Sequence, residues 1–481
     1  MSKRQRGNDT SNQGEAARRG LVSVNRLDYT LQPDLSVAVA RSSKKHFFQQ
    51  SKYDPGQRAI CILNSGAEYI DPQNSYLKFD VETYGSDADA KVSALNLGSG
   101  SACNFIKQII LTTRSGDEIE RIEQVNQLAV QLDRYMNTND WVNSQGEVIG
   151  YLNANEVANA VTTVPPVSTL ASPSAYNGIW SKGGNGAEPS NTTEPCTGRA
   201  IPGRSTGPAV KTSFVIPLSC ISGLFKSFDR LIPSMLASGL RIEIEWEQAA
   251  AAGIWITGAV PKYTISSPEI VMDQYQLTDS IMRVLNEEAA LRGLEVVFST
   301  WYNHDAPFGT VANYNVQIRK AVSRALGILT RICTTAKNKP LVDSFLAHKA
   351  DIIKYQVRVG ALYFPQQGIA SPDTNRNNAE LYHHTLRGLG KWKTPQAPTS
   401  VNLSDYKGRD VQSFQSIYTD LERSNTQKLT GIPINNSRVA EILIDRATVT
   451  TENGGADCSL NSYLHYVRLL RVFLQNVEVE E

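Results

Sequence analysis

The chain has 481 residues and a mass of 52.9 kDa, more than one ordinary core holds, so about two to four domains are expected and two large ones fit. Hydrophobic residues make up 41% and charged residues 20%, enough for globular folding, while a formal net charge of +1 argues against a protein whose main work is neutralising nucleic acid. Cysteines at 61, 103, 196, 220, 333 and 458 lack any C-x-x-C pair, which suggests neither a disulfide framework nor a zinc cage but reduced thiols.

The N-terminus, Met1-Ser-Lys-Arg-Gln-Arg6, has no apolar core of a signal peptide. The longest charge-free apolar run, Ala249 to Val260, falls short of the roughly 20 residues of a spanning helix, so a soluble chain is expected. Residues 1–40 begin with a polar, basic segment (Lys3, Arg4, Arg6, Arg18, Arg19) without periodicity. They are expected to form an arm that touches nucleic acid or a neighbouring subunit, or else a solvated tail.

From Ala59 the chain turns to strands: Leu77, Phe79 and Val81 alternate with charged residues, and Phe105 to Thr113 is a second β-rich run. Ile119, Ile122, Val125, Leu128 and Leu132 then recur three or four residues apart, which predicts an amphipathic helix over 117–136 after a break at Ser115-Gly116. The carboxylates Asp117, Glu118, Glu120 and Glu123 would sit at the positive end of its dipole, with no need of catalysis. Residues 161–212, dense in Pro, Gly, Ser, Thr and Asn, read as a long surface loop. A strand follows at Phe214-Val-Ile-Pro-Leu218 and a short helix or turn at Ile221 to Arg230.

In Leu240-Arg-Ile-Glu-Ile-Glu-Trp-Glu247 the residues Leu240, Ile242, Ile244 and Trp246 alternate with Arg241, Glu243, Glu245 and Glu247, a strand with one dry and one charged face. The charged face is a candidate contact with a neighbouring domain, plain solvation being the alternative. Tyr263 to Leu277 returns as an extended run, so the two strands are expected to pair as a hairpin. Thr278 to Arg292 reads as a helix ended by Gly293, and the domain boundary is placed beside it.

The second half repeats this order: strands at Leu294 to Tyr302, Val316 to Cys333 and around Tyr355, Val357 and Val359, with a helix at Leu341 to Lys349. Loop excursions at Pro365 to Asn378 and Thr394 to Arg409 flank a short helix. Two extended runs, Val439 to Thr450 and Tyr463 to Glu480, close the chain, again as a pair.

Phe214-Val-Ile-Pro-Leu218, Leu231-Ile-Pro233, Gly239-Leu-Arg-Ile-Glu-Ile-Glu245 and Tyr263-Thr-Ile-Ser-Ser-Pro-Glu-Ile-Val271 together resemble the double jelly-roll major capsid proteins of double-stranded DNA viruses, among them polinton-like viruses, virophages and adintoviruses. Thr113-Arg-Ser-Gly-Asp-Glu-Ile-Glu120 fits the same group. The resemblance, over most of residues 50–480, implies an all-β chain of two consecutive eight-stranded jelly-roll β-sandwiches with a few short helices and long surface loops: a first jelly roll over 41–278 and a second over 279–481. It also implies a non-enzymatic protein, found in the virion and made in host cytoplasm or nucleus. Its partners would be itself, as a homotrimer and then neighbouring capsomers, with penton or minor capsid proteins. The N-terminal arm would make weak contact with genome or an internal membrane. No cofactor, metal or small-molecule substrate is implied. The alternative from the residues alone is a two-domain β-sandwich attachment module that binds glycans.

Several motifs imitate chemistry. Gly203-Arg-Ser-Thr-Gly207 matches G-x-S-x-G, but Pro202 and Pro208 flank it where a strand and a helix are needed. Glu380-Leu-Tyr-His383-His384 offers ligands on one helical face without a third partner. Gly98-Ser-Gly100 has Cys103 where a dinucleotide fingerprint needs glycine. Lys391-Trp-Lys393 is expected to be a surface patch. No catalytic, cofactor-binding or metal residue is assigned.

Overall fold

The structure is a computed structural model that describes residues 38–84, 95–98, 100–142, 144–151, 200–201, 211–255, 262–307, 312–334, 345, 347–348, 352–370, 378–392, 399–407, 412–423, 429–446, 458–474 and 476–480. In the first half, eight strands form two antiparallel sheets: β1 (Ala38–Phe47), β2 (Arg58–Ile62), β3 (Tyr76–Tyr84), β4 (Ile106–Thr112), β5 (Glu118–Glu123), β6 (Thr212–Pro217), β7 (Arg241–Trp246) and β8 (Lys262–Leu277). One sheet runs β1-β8-β3-β6 and the other β2-β7-β4-β5. The second half supplies β9 (Leu294–Pro307), β10 (Asn313–Ile318), β11 (Val322–Thr334), β12 (Ile352–Val359), β13 (Leu362–Ala370), β14 (Ile417–Asp420), β15 (Ala440–Arg446) and β16 (Cys458–Val472). Their order is β9-β16-β11-β14 and β10-β15-β12-β13. Strand for strand this is the first order again, displaced by eight, so the chain is all-β with two jelly-roll sandwiches in succession. Short extra strands add to these sheets, among them Val477–Glu480, which pairs with β16.

The pattern of each strand explains its place. In β7 the side chains of Ile242, Ile244 and Trp246 are buried while those between them are half-buried, so one face meets the other sheet. There Trp246 packs edge-on against Phe79 of β3, ring centroids 5.3 Å apart, beside Phe105 and Phe214. Each such side chain removed from water contributes roughly 1.5–3 kcal/mol. A tight hairpin stands at the same point in the order of each half, β4–β5 and β12–β13. Gly116 (φ 98°) and Gly360 (φ 61°) turn them in backbone conformations that side chains disfavour.

Four helices matter below: α1 (Val125–Met136), α2 (Gly223–Ser227), α3 (Asp279–Leu291), between β8 and β9, and α4 (Ala379–Gly388).

The structure corrects several expectations. Residues 118–123, expected as the start of a helix, are strand β5. Thr112 pairs with Glu118 and Leu111 with Glu120, which leaves Ile119 as the extra residue of a β-bulge. The bulge lets Ile119 and Ile122, three apart, both enter the core, and that spacing imitates a helix. β7 and β8 are not a hairpin: they lie in opposite sheets, as do β15 and β16, so each half closes with a crossing between layers. The excursion from Pro365 begins as strand β13, and Val316 to Cys333 is two strands, β10 and β11. The helix expected at Leu341 to Lys349 has only 345, 347 and 348 among the described residues, and Ala347–His348 is a short strand. β1, unread in the sequence, begins inside the segment assigned to the arm. The rest of the arm, residues 1–37, and most of the loop 161–212 lie outside the described residues.

Candidate functional site: the seam between the sandwiches and their outer edges

Helix α1 is amphipathic, yet nearly all of it is buried. Val125, Leu128, Ala129 and Leu132 belong to the core of the first sandwich. The other face carries Gln124, just before the helix, then Gln127, Gln131 and Tyr135, at spacings that keep one side of a helix in line, and all of these residues reach the second half of the chain. The Gln124 carbonyl accepts a hydrogen bond from Tyr463 (2.8 Å), and its side chain meets Asp305 and Asn461. Arg331 donates to Gln127 Oε1 at 2.7 Å. Gln131 donates to the Phe345 carbonyl (3.0 Å) and accepts from Ser416 Oγ (2.8 Å), and Tyr135 Oη donates to the Phe414 carbonyl at 2.6 Å. At the helix end, the Arg134 carbonyl accepts from Ser400 Oγ at 2.7 Å and the Met136 carbonyl from Lys391 Nζ at 2.8 Å. Two of the last carbonyls of α1, those of Arg134 and Met136, are thus satisfied by the second half.

A second fastening lies at Glu120 of β5, which is fully buried. Its carboxylate accepts from Ser222 Oγ, from the Gly223 N–H at 2.8 Å and from Thr300 Oγ1 of β9. Burial raises the pKa of Glu120, and the hydroxyl and amide donors oppose that rise. α2 touches β9 closely here: a Cβ on Gly223 would lie 2.1 Å from the Ser299 carbonyl oxygen, so only glycine fits. Arg468 of β16 donates to the Ile119 carbonyl. Apolar contact continues across the seam, since Val296, Phe298, Trp301 and Leu470 join the core of the first sandwich. The two sandwiches therefore share buried polar and apolar contacts.

Asp133, on α1, is buried beside Tyr151, whose hydroxyl donates to it at 3.3 Å. Burial pushes this carboxyl up to about 6, against the opposing pull of the Lys226 charge and the Tyr151 hydrogen bond.

The outer surfaces differ in character. Large apolar side chains are exposed on edge strands of both halves: Val39 and Phe47 on β1, Ile62 on β2, Leu362 and Tyr363 on β13. The charged face of β7 is held within its own sheet. Glu245 pairs with Arg58 of β2 (3.3 Å) and Lys107 of β4 (2.6 Å), and Glu243 with Arg241 (2.6 Å).

The imitation motifs resolve as structure. His383 stacks edge-on against Trp392 at 4.2 Å, and burial lowers His384 to about 4. Among the described residues no three His, Cys, Asp or Glu side chains are grouped to hold a metal. Gly98 and Gly100 precede a capping turn in which Ser101 and Asn104 satisfy each other's backbone. Gly203 to Gly207 and Lys393 lie outside the described residues. Sequence reasoning missed the seam. Its one legible signal was a helical face of uncharged glutamines, where a solvated face carries lysine and glutamate.

No protein-family model matches the sequence, and no curated protein matches it. Solved structures do match in shape. The structure of the Sputnik virophage determined by cryo-electron microscopy gives a TM-score of 0.56 at 9% identity, over 94% of this chain and 90% of that one. The Faustovirus major capsid protein gives 0.54 at 9% identity, over 96% and 97%. The mavirus major capsid protein gives 0.51 at 10% identity, over 94% and 92%. At such identities the likeness is one of fold, and by strand order and overall shape the chain has the double jelly-roll fold of these viral major capsid proteins.

Proposed function

We propose that this chain is a major capsid protein, with a first jelly roll over 41–278 and a second over 279–481. Three copies form a capsomer of six jelly rolls with a nearly hexagonal outline, and capsomers tile the icosahedral shell of a DNA virus. The observation that carries the reading is the repeated strand order combined with the buried seam. Two equivalent sandwiches fixed side by side make one rigid wall element, and three such elements complete a six-sided ring. Exposed apolar side chains on edge strands in both halves supply surface for packing against further copies, which would also cover edges that a lone sandwich leaves open.

In this account the protein works by self-association and not by catalysis, and it resides in the virion. Penton or minor capsid proteins are its further partners, and the basic N-terminal arm makes weak contact with the genome or an internal membrane. Native mass spectrometry of the full chain tests the first step. A trimer supports it; a monomer that binds glycans on an array favours the attachment module instead.

A further inference from the structure

At one end of the second sandwich three turns come together. Ile318, the last residue of β10, pairs with Ala440, the first of β15, and Ala440 also pairs with Val359, the last of β12. Val359 in turn pairs with Leu362, the first of β13. The connections 319–321, 360–361 and 435–439 are therefore neighbours, and a Cβ on Gly360 would lie 3.2 Å from Arg438 Cγ. Arg319, Arg438 and Ala361 are exposed, as are Leu362 and Tyr363, at 54% and 42%. No acidic residue stands in 319–321, 360–363 or 435–439.

Between two of these turns lies a cleft of about 450 Å³, lined in part by Gln317, Arg319, Lys320, Asn435 and Asn436, and by no acidic side chain among the described residues. The Lys320 ammonium stands 5.8 Å from the centroid of the Tyr302 ring. Asn435 Oδ1 accepts from the N–H and the Oγ of Ser437, at 3.1 and 2.7 Å, so the other polar atom of that side chain is an amide donor. Cations and amide donors around a space of this size suit a phosphate oxyanion. The exposed Leu362 and Tyr363 beside it suit hydrocarbon and its interface with water. An anionic phospholipid in a bilayer offers both, whereas the backbone of a nucleic acid offers nothing to an exposed leucine.

The repeated fold supplies an internal comparison. The matching hairpin turn of the first sandwich, Arg114-Ser115-Gly116-Asp117, carries both charges and no apolar side chain, and the connection after β2 contains Glu68. The strand order therefore does not by itself require a basic and apolar tip. Other exposed apolar side chains stand at the same end of the fold. Val39 follows Ala38, which pairs with Leu277, and Leu474 lies just beyond Val472, which pairs with Leu294; Leu291 is on α3, which joins Leu277 to Leu294. A bilayer lying across this end would meet them too. We propose that the turns 319–321, 360–363 and 435–439 form a site for the phosphate headgroup of an anionic phospholipid, with Leu362 entering the bilayer interface. This reaches beyond the reading above, which gives contact with genome or membrane to the N-terminal arm; it concerns the folded body and stands whether or not capsomers form.

Flotation of the full chain with vesicles of phosphatidylserine and phosphatidylcholine tests it, with native mass spectrometry of the same samples reporting assembly separately. The chain should float with these vesicles and not with phosphatidylcholine alone. Arg319→Glu with Lys320→Glu should lower the partition coefficient at least about tenfold, and Leu362→Ser about three- to tenfold. Arg114→Glu, in the matching turn of the first sandwich, should change it by less than about twofold. Removing residues 2–20 should leave the effect of the Arg319, Lys320 double variant in place. A chain that ignores phosphatidylserine vesicles, a double variant that floats like the parent, or binding that vanishes with residues 2–20 alone would each overturn the proposal. So would duplex DNA bound through Arg319 and Lys320 while vesicles are ignored, since the cleft would then belong to nucleic acid.

Discussion

Thr300 of β9 donates its hydroxyl hydrogen bond to the buried carboxylate of Glu120 on β5, so one side chain from each sandwich meets in the seam without solvent. Removing the acceptor leaves the Ser222 and Thr300 hydroxyls and the Gly223 amide without their shared partner. Glu120→Ala should therefore cost about 2–4 kcal/mol, and Thr300→Val about 1–2 kcal/mol. Urea unfolding of the single and double variants gives the coupling, expected at about 1–2 kcal/mol; strict additivity would mean that the contact ties nothing together.

Gly223 tests how closely the sandwiches must approach. A methyl group there collides with the Ser299 carbonyl oxygen, a backbone atom that cannot swing aside. Gly223→Ala should destabilise by about 1–3 kcal/mol and speed limited proteolysis near α2 and β9. A variant as stable as the parent would show that the seam has slack.

Asp133 gives stability a pH dependence. Its folded pKa, about 6, stands above the ordinary 3.8 because burial disfavours the charge. A carboxyl with a raised folded pKa favours the folded state fully below the unfolded value and loses that contribution as pH rises through the folded value. The window runs from about pH 4 to 6 and involves at most about 3 kcal/mol. Asp133→Asn should remove this component from the stability curve and be neutral or stabilising near pH 7.5. Parallel curves for the two proteins across the window would contradict the account.

The alternation in β7, β3 and β12 was legible in the sequence because a strand with one dry face writes its period locally. Ile244→Asp should accordingly abolish folding, by placing an unpaired charge among fully buried neighbours; soluble folded protein would mean that β7 faces the other way. Strand partners were not legible. β7 reads like half of a hairpin with β8, and nothing local tells that the chain passes to the other sheet between them. The bulge at Ile119 hid β5 behind a helical spacing. The seam stayed hidden because Gln127 and Gln131 look like solvated residues until the second sandwich is set against them.

Residues 1–20 are expected to act after capsomer formation. Deleting them should leave the trimer intact on native mass spectrometry while changing shell assembly or genome retention. Loss of the trimer would make this segment a clamp between subunits.

Electron microscopy of the purified full chain tests the central claim most directly. The account expects three-fold particles of nearly hexagonal outline, with six sandwich densities and three times the 52.9 kDa chain mass, and shells or sheets built from them. A population of single two-lobed particles that never associate, at any concentration tried, would contradict it.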